Sequence, residues 1–296
     1  ESAVKIQTLF DYVKGHVDNI TFTAGRENDQ SYTGHLNNIE KSGLYLQDLG
    51  YFKVESFAKI HNQGAYFISR HFNQTAIFDE NGQKIDLAKA LQSTTSFSKK
   101  VLIGQKNKIP IRIIAHRLPD AAVERRIKNI KANARRHGRT VRQETLNLAK
   151  WSICITNIST EILRDEHVYL LYSLRWQIEL FFKICKQEAG IDKIRGKKPD
   201  RILCEIYARL IGVFMLLYVC HPIRWQEERE LSFSKAFNCL RNRTLELFKA
   251  LSSIYRLKLF FKSFFSDLKD FAVKDIKKKL PATHQRLMAG QQCVSI

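Results

Sequence analysis

The chain has 296 residues, 44% hydrophobic and 11% aromatic, with a formal net charge of +20. That length and apolar share suffice for a sizeable core, and so large a positive balance suits a polyanion, nucleic acid first. A ribosomal or membrane-surface protein shares the charge but has no need of these aromatics, while zinc fingers and P-loop proteins are excluded because no His pair has ligand spacing and no Gly-rich phosphate loop is present. Residues 3–24, AVKIQTLFDYVKGHVDNITFTA, alternate around Gly15 and predict a β-hairpin. Residues 28–42 predict a helix with Asn28 or Asp29 as N-cap. GLYLQDLGYF predicts a short strand ending at Asp48 with a turn at Gly50, KVESFAKIHNQG a helix stopped by Gly64, and AYFISRHF another strand.

Residues 72–118 carry short β-like pieces, TAIFD, KKVLIGQ and IPIRIIAHRL. A basic helical stretch follows at 120–150, with nine Lys or Arg (125, 126, 128, 131, 135, 136, 139, 142, 150) against Glu124 and Glu144. Charge alone makes it a solvated face or a DNA contact and does not choose. WSICITNIS, 151–159, predicts a buried strand. No Pro or Gly interrupts 161–189, and its apolar residues recur at helical spacing, which predicts one helix. Residues 202–296 predict further helices for packing or dimer contact. Leu210–Cys220 is too short to span a bilayer and reads as a core helix. The six cysteines (154, 185, 204, 220, 239, 293) form no Cys-x-x-Cys pair and read as buried free thiols of a cytosolic protein.

Within YSLRWQIELFFKICK, 172–186, helical geometry at about 100° per residue puts Arg175, Glu179, Lys183 and Lys186 within about 60° of Tyr172. Leu170, Leu174, Ile178, Phe181 and Cys185 fall on the other side, at about 160–240°. The polar stripe reads either as a solvated face with Arg175 and Glu179 as i,i+4 partners, or as a metal-binding carboxylate flanked by phosphate-holding groups. Geometry does not decide.

The spacing Tyr-x2-Arg-x3-Glu-x6-Lys, at Tyr172, Arg175, Glu179 and Lys186, resembles the signature of bacterial insertion-sequence DDE transposases. The neighbouring RWQIE (175–179) and FKICK (182–186) resemble that family too, as does Thr156-Asn157 ahead of the helix. The resemblance covers about 3–215. It implies an α/β fold: a ribonuclease H-like mixed sheet flanked by helices, a β-rich insertion before the signature helix and an α-helical C-terminal region. The parts would be 1–71, the first part of the core; 72–150, the insertion with the basic stretch; 151–220, the second part of the core; and 221–296, the helical C-terminal region.

The resemblance also implies chemistry: metal-dependent DNA strand cleavage and strand transfer at transposon ends. Two Mg²⁺ ions, with Mn²⁺ as a substitute, would activate the attacking oxygen and stabilise the leaving one, and hard ions take carboxylates. Glu179 matches the family's Glu. Asp48, in QDLGYF with FISR about 20 residues on, matches its second Asp; alone it reads as a turn residue before Gly50. The two carboxylates would lie close together. The first Asp usually precedes Ser, Thr or Gly, and none of the 13 Asp does so. Asp11 and Asp18 fit poorly on the hairpin, so the opening strand and its Asp are expected upstream of Glu1. Tyr172, Arg175 and Lys186 match residues that hold the DNA backbone, with Lys183 a weaker candidate; Trp176 is expected to pack, the alternative being to stack on a base. A homodimer on DNA, nucleoid-associated in the cytoplasm and away from membranes, is the implied setting. The alternative is a catalytically inactive DNA-binding remnant; a structural RNA-binding protein would give Asp48 and Glu179 no role.

Overall fold

The computed structural model describes residues 3–92, 94–106, 108–196, 198–224 and 231–274. The described residues divide into two compact units, one of 3–23 with those described between 176 and 274, and one of those described between 24 and 175. The hairpin forms as its alternation predicts, β1 (Val4–Asp11) and β2 (His16–Ala24), but it is a two-stranded sheet of its own and does not extend the main sheet. Asp11 and Asp18 have local roles there. Asp11 accepts from Lys14 N–H at 2.8 Å in the turn, and Asp18 lies 2.7 Å from His16.

The second unit is built on β3 (Leu44–Gln47), α1 (Val54–Asn62), β4 (Tyr66–Arg70), β5 (Ile77–Phe78), α2 (Leu87–Ala90), β6 (Ser96–Ile103), β7 (Ile109–Arg117), α3 (Asp120–Arg136), α4 (Gln143–Leu148), β8 (Trp151–Thr156) and α5 (Asp165–Ser173). Its six-stranded sheet runs β3-β4-β8-β7-β6-β5. β3 and β4 are parallel, as a strand–helix–strand crossover through α1 requires, and every later pairing is antiparallel. β5, β6 and β7 therefore share one sheet with β3 and β4, joined through β8. α1 ends where Gly64 takes a φ of +71°. Phe57, Ile60, Phe67, Ile113 and Ile155 are fully buried between sheet and helix.

Thr156 and Asn157 act as substitutes for strand backbone. Thr156 Oγ1 donates to Phe67 O at 2.7 Å; Asn157 Oδ1 accepts from Phe67 N–H and its Nδ2 donates to Ala65 O, both at 2.8 Å. Buried Arg112 donates to Thr160 Oγ1, Asp165 Oδ1 and Leu163 O, which fixes the approach to α5. Tyr169 Oη lies 2.8 Å from both Ile114 O and Ser152 O and shares its one proton between them, seating α5 on β7 and β8.

Two helical expectations fail here. Residues 28–42 form only short 3-10 turns, Asp29–Ser31 and Gly34–Leu36. Gly34, Asn37, Asn38 and Gly43 favour turns over a continuous helix, and the Asn28 cap serves Gln30 N–H alone. The stretch 161–189 is not one helix either. α5 stops at Ser173, and α6 (Trp176–Gln187) starts afresh. Ser173 Oγ donates to Leu170 O at 2.6 Å, and the Leu174 and Arg175 amides reach only three residues back, to Leu171 O and Tyr172 O. A serine back-bond competes with the helical ladder and breaks it without Pro or Gly.

The first unit packs the hairpin against α6 and the helices α7 (Pro199–Arg224), α8 (Phe233–Asn242), α9 (Thr244–Ala250) and α10 (Ile254–Phe271). Phe181 and Cys185 of α6 meet Leu210, Val213 and Leu217 of α7, with Phe10 and Ile20 of the hairpin against them. Leu216 and Cys220 join a second cluster with Phe260, Phe264 and Leu268. The Leu210–Cys220 run thus supplies core residues, while Ile211, Met215 and Tyr218 on its other side are exposed. By length and composition Pro199–His221, of mean hydropathy 2.0, is long and apolar enough to cross a membrane. Cys154, Cys185 and Cys220 are buried, which pushes their thiols up to about 12, but Cys204 is exposed, against expectation. Cys293 and the helices expected beyond 274 lie outside the described residues.

Candidate active site

In the second unit, Asp48 ends β3 as the N-cap of a 3-10 turn, Leu49–Tyr51. Its Oδ1 accepts from Leu49 N–H at 2.8 Å. Its Oδ2 lies 3.6 Å from Arg175 Nη1, and the side chain is 52% exposed. The turn role and a charged role therefore coexist. Arg175 is mostly buried, with its guanidinium 5.8 Å from the centre of the Tyr172 ring. The Tyr172 hydroxyl is buried with no hydrogen-bond partner. Burial pushes it up to about 12, with Arg175 lowering and Asp48 raising it. A carboxylate, a guanidinium and an unpartnered phenol thus gather at the end of β3, although Asp48 and Tyr172 are far apart in sequence.

Arg70, at the end of β4, belongs to the same surroundings, since its charge acts on Tyr172, Cys154 and Arg126. In the sequence it stands as the last residue of FISR, and its place at the end of a strand beside β3 is the signal that points to it. Of the nine cations at 120–150, Arg126 turns inward and donates to Trp151 O at 2.6 Å, and the other eight are exposed.

In the first unit, Glu179, Lys183 and Lys186 share one stripe of α6, opposite Phe181 and Cys185, which are buried. Glu179 is half-buried; Lys183 and Lys186 are exposed. Trp176 was expected to pack and is 55% exposed instead, because it opens α6 ahead of the buried positions. The structure thus gathers Asp48, Tyr172 and Arg175 in one unit and aligns Glu179, Lys183 and Lys186 in the other.

Asp48 Oδ2 and the Glu179 carboxylate are oxygen donors of the kind hard divalent cations take. Among the described residues no group of three His, Cys, Asp or Glu side chains gathers to hold a metal.

The chain matches a family described as "Transposase DDE domain" over residues 1–215. It is 27% identical to the transposase for insertion sequence element IS231F of Bacillus thuringiensis subsp. israelensis, over 85% of this chain and 58% of that protein. It is 28% identical to the transposase for IS1151 of Clostridium perfringens, over 93% of this chain and 64% of that protein. The putative transposase InsL for IS186A of Escherichia coli K12 is 30% identical, over 60% of this chain and 48% of that protein. The chain spans less than two thirds of the length of these relatives.

Proposed function

The chain belongs to the transposase DDE domain family, and from that membership we propose that it serves metal-dependent cleavage and transfer of DNA strands at transposon ends. Asp48 and Glu179 would hold the divalent ions, Mg²⁺ or Mn²⁺ in its place. When bound, such ions supply a nucleophile at neutral pH and a stabilised leaving oxygen. The chain's own residues orient the substrate. Arg175, Lys183 and Lys186 give charged donors to phosphates, and Tyr172 gives a hydroxyl donor.

The observation that carries this reading is the Asp48–Tyr172–Arg175 cluster. A buried hydroxyl without a partner is costly, and a DNA phosphate is an acceptor that would satisfy it. Arg175 already stands beside Asp48, so a phosphate drawn there meets a positioned fork of donors. The family's first Asp is proposed to lie in a strand outside residues 1–296, since none of the 13 Asp has its context. DNA at transposon ends and target, a homodimer on that DNA and a bacterial nucleoid setting complete the proposal.

A second reading, an inactive DNA-binding remnant, draws on the same lack of that context among the 13 Asp. An end-cleavage assay with Mg²⁺ or Mn²⁺ separates them, run on this chain and on one extended upstream through the next apolar strand. Cleavage by the extended chain alone, lost in Glu179→Gln, is expected. Cleavage by neither favours the remnant. Cleavage by the short chain would place a third carboxylate within 1–296, with Asp11 and Asp18 first to test.

A further inference from the structure

Backbone groups of the segment after α6 converge on two side chains of α7. α6 ends through Gly190, at a φ of +62°, where Ile191 N–H donates back to Cys185 O at 2.9 Å. This turn leaves carbonyls at the helix end without helical partners. The Arg209 guanidinium takes them: it donates to Ala189 O at 3.2 Å and to Gly190 O, and reaches on to Lys193 O at 3.2 Å. It also donates to Glu205 Oε1, its i,i+4 partner, at 2.5 Å. Glu205 Oε2 accepts from Arg195 N–H at 3.2 Å. The positive φ favours glycine at 190, and a Cβ there would lie 2.9 Å from Arg209 Nη1 and push the guanidinium aside.

A helix cap needs only the last carbonyls. This pair holds the backbone from 189 to 195 and fixes the turn at both ends, with Ile191 buried and Ile194 packed beneath it. The side chains left in water are basic: Lys193 and Arg195 on the held segment, Lys198 and Arg201 just after, against Asp192 and Asp200. The segment begins three residues after Lys186, on the helix that carries the proposed DNA-facing stripe.

We infer that residues 190–196, with Lys198 and Arg201 beyond them, form a DNA-backbone contact, and that Glu205 and Arg209 set the shape of 190–195 as positioning residues. This rests on the reading of α6 as a DNA-facing helix. The charge of Arg209 is engaged by carbonyls and a carboxylate, so it does not reach phosphate itself. What it contributes is order: a preshaped loop presents Lys193 and Arg195 without losing chain entropy on binding.

The test is anisotropy of a labelled random-sequence duplex of about 30 base pairs, titrated between about 50 and 200 mM salt. A slope near 0.9 per phosphate makes each contact worth about eightfold in affinity at 0.1 M salt. Lys193→Ala with Arg195→Ala is expected to lower the slope by about two units and affinity roughly 60-fold. Arg209→Ala is expected to lower both comparably, and adding it to the double variant should cost less than about threefold more, because the two act as one unit. Arg209→Lys keeps the charge but not the fork and should behave as Arg209→Ala. If Arg209→Ala fails to fold by circular dichroism, Arg209→Lys and Glu205→Gln carry the test. Wild-type slope and affinity in the folded variants, or losses that add in full, reduce the pair to a helix cap and overturn the inference. If Lys186→Ala weakens binding while loop and clip variants do not, this inference alone falls. A wild-type chain that binds no duplex overturns the reading of α6 and this one with it.

Discussion

Tyr172, on α5, and Arg175, in the turn that follows it, are positioned by contacts outside α6, whereas Glu179, Lys183 and Lys186 are positioned by the helix that carries them. α5 is seated on the sheet by Tyr169, which bonds β7 and β8, and its entry is fixed by buried Arg112. α6 turns an apolar side, through Phe181 and Cys185, onto the hairpin and α7, and its polar stripe follows from the period alone. The stretch 172–186 therefore has two physical supports. Substitutions that loosen the sheet should disturb its first half and spare its second.

The sharpest break of the comparison is chemical. Glu179→Gln, in the upstream-extended chain, should reduce end cleavage about a thousandfold, the loss of several kcal/mol of charge stabilisation. DNA affinity should stay within about twofold. A single-turnover cleavage assay beside a binding titration reads both. Cleavage at the wild-type rate would return Glu179 to a solvated helix face.

Next in size is the support of the sheet half. Asn157→Ala strips the Phe67 N–H and the Ala65 carbonyl of their partner at 2.8 Å. Leaving two such groups unpaired should cost about 2–4 kcal/mol. Lys183→Ala, on the exposed stripe of α6, should stay within about 0.5 kcal/mol. Urea denaturation of both variants is the measurement. Equal, small shifts would mean that the sheet half is no more tightly built than the helix half.

This asymmetry explains what the sequence disclosed. β3, α1, β4 and β8 are legible because apolar runs between Asp48, Gly64 and the Thr156-Asn157 pair mark their limits. The stripe of Glu179, Lys183 and Lys186 is legible because it needs only the helical period. The break after Ser173 is not, because it depends on which acceptor a hydroxyl takes. The turns in 28–42 are carried by Gly34, Asn37 and Asn38, whose preference for turns outweighs the helical spacing of the apolar residues, with Leu36 buried against the core. The hairpin's separation from the main sheet is a matter of which edges pair, and alternation is silent on that. Arg70 is legible only as the last residue of FISR, because its tie to Tyr172 is purely spatial.

A smaller effect separates the two halves in DNA binding. Arg175→Ala and Lys186→Ala should each lower the salt slope by about one unit and affinity roughly tenfold. Arg175→Ala should also disturb the surroundings of Tyr172, visible in tyrosine fluorescence, since the guanidinium lies over that ring. Lys186→Ala should leave tyrosine emission unchanged. Unchanged slopes in both would make the stripe a solvated face.

The smallest effect isolates the two roles of Asp48. As N-cap it accepts from Leu49 N–H, and asparagine caps as well as aspartate. Asp48→Asn should therefore stay within about 0.5 kcal/mol of wild type, because the half-exposed ion pair with Arg175 is worth little in water. Asp48→Ala removes the cap and should cost about 1 kcal/mol. Binding of Mn²⁺ by calorimetry should follow the other division: both variants lose the carboxylate, so both should bind weakly, Asn as poorly as Ala. Stability that tracks the cap together with metal binding that tracks the charge would assign one residue two separable functions. If Asp48→Asn keeps wild-type Mn²⁺ affinity, Asp48 is a turn residue ahead of Gly50 and nothing more.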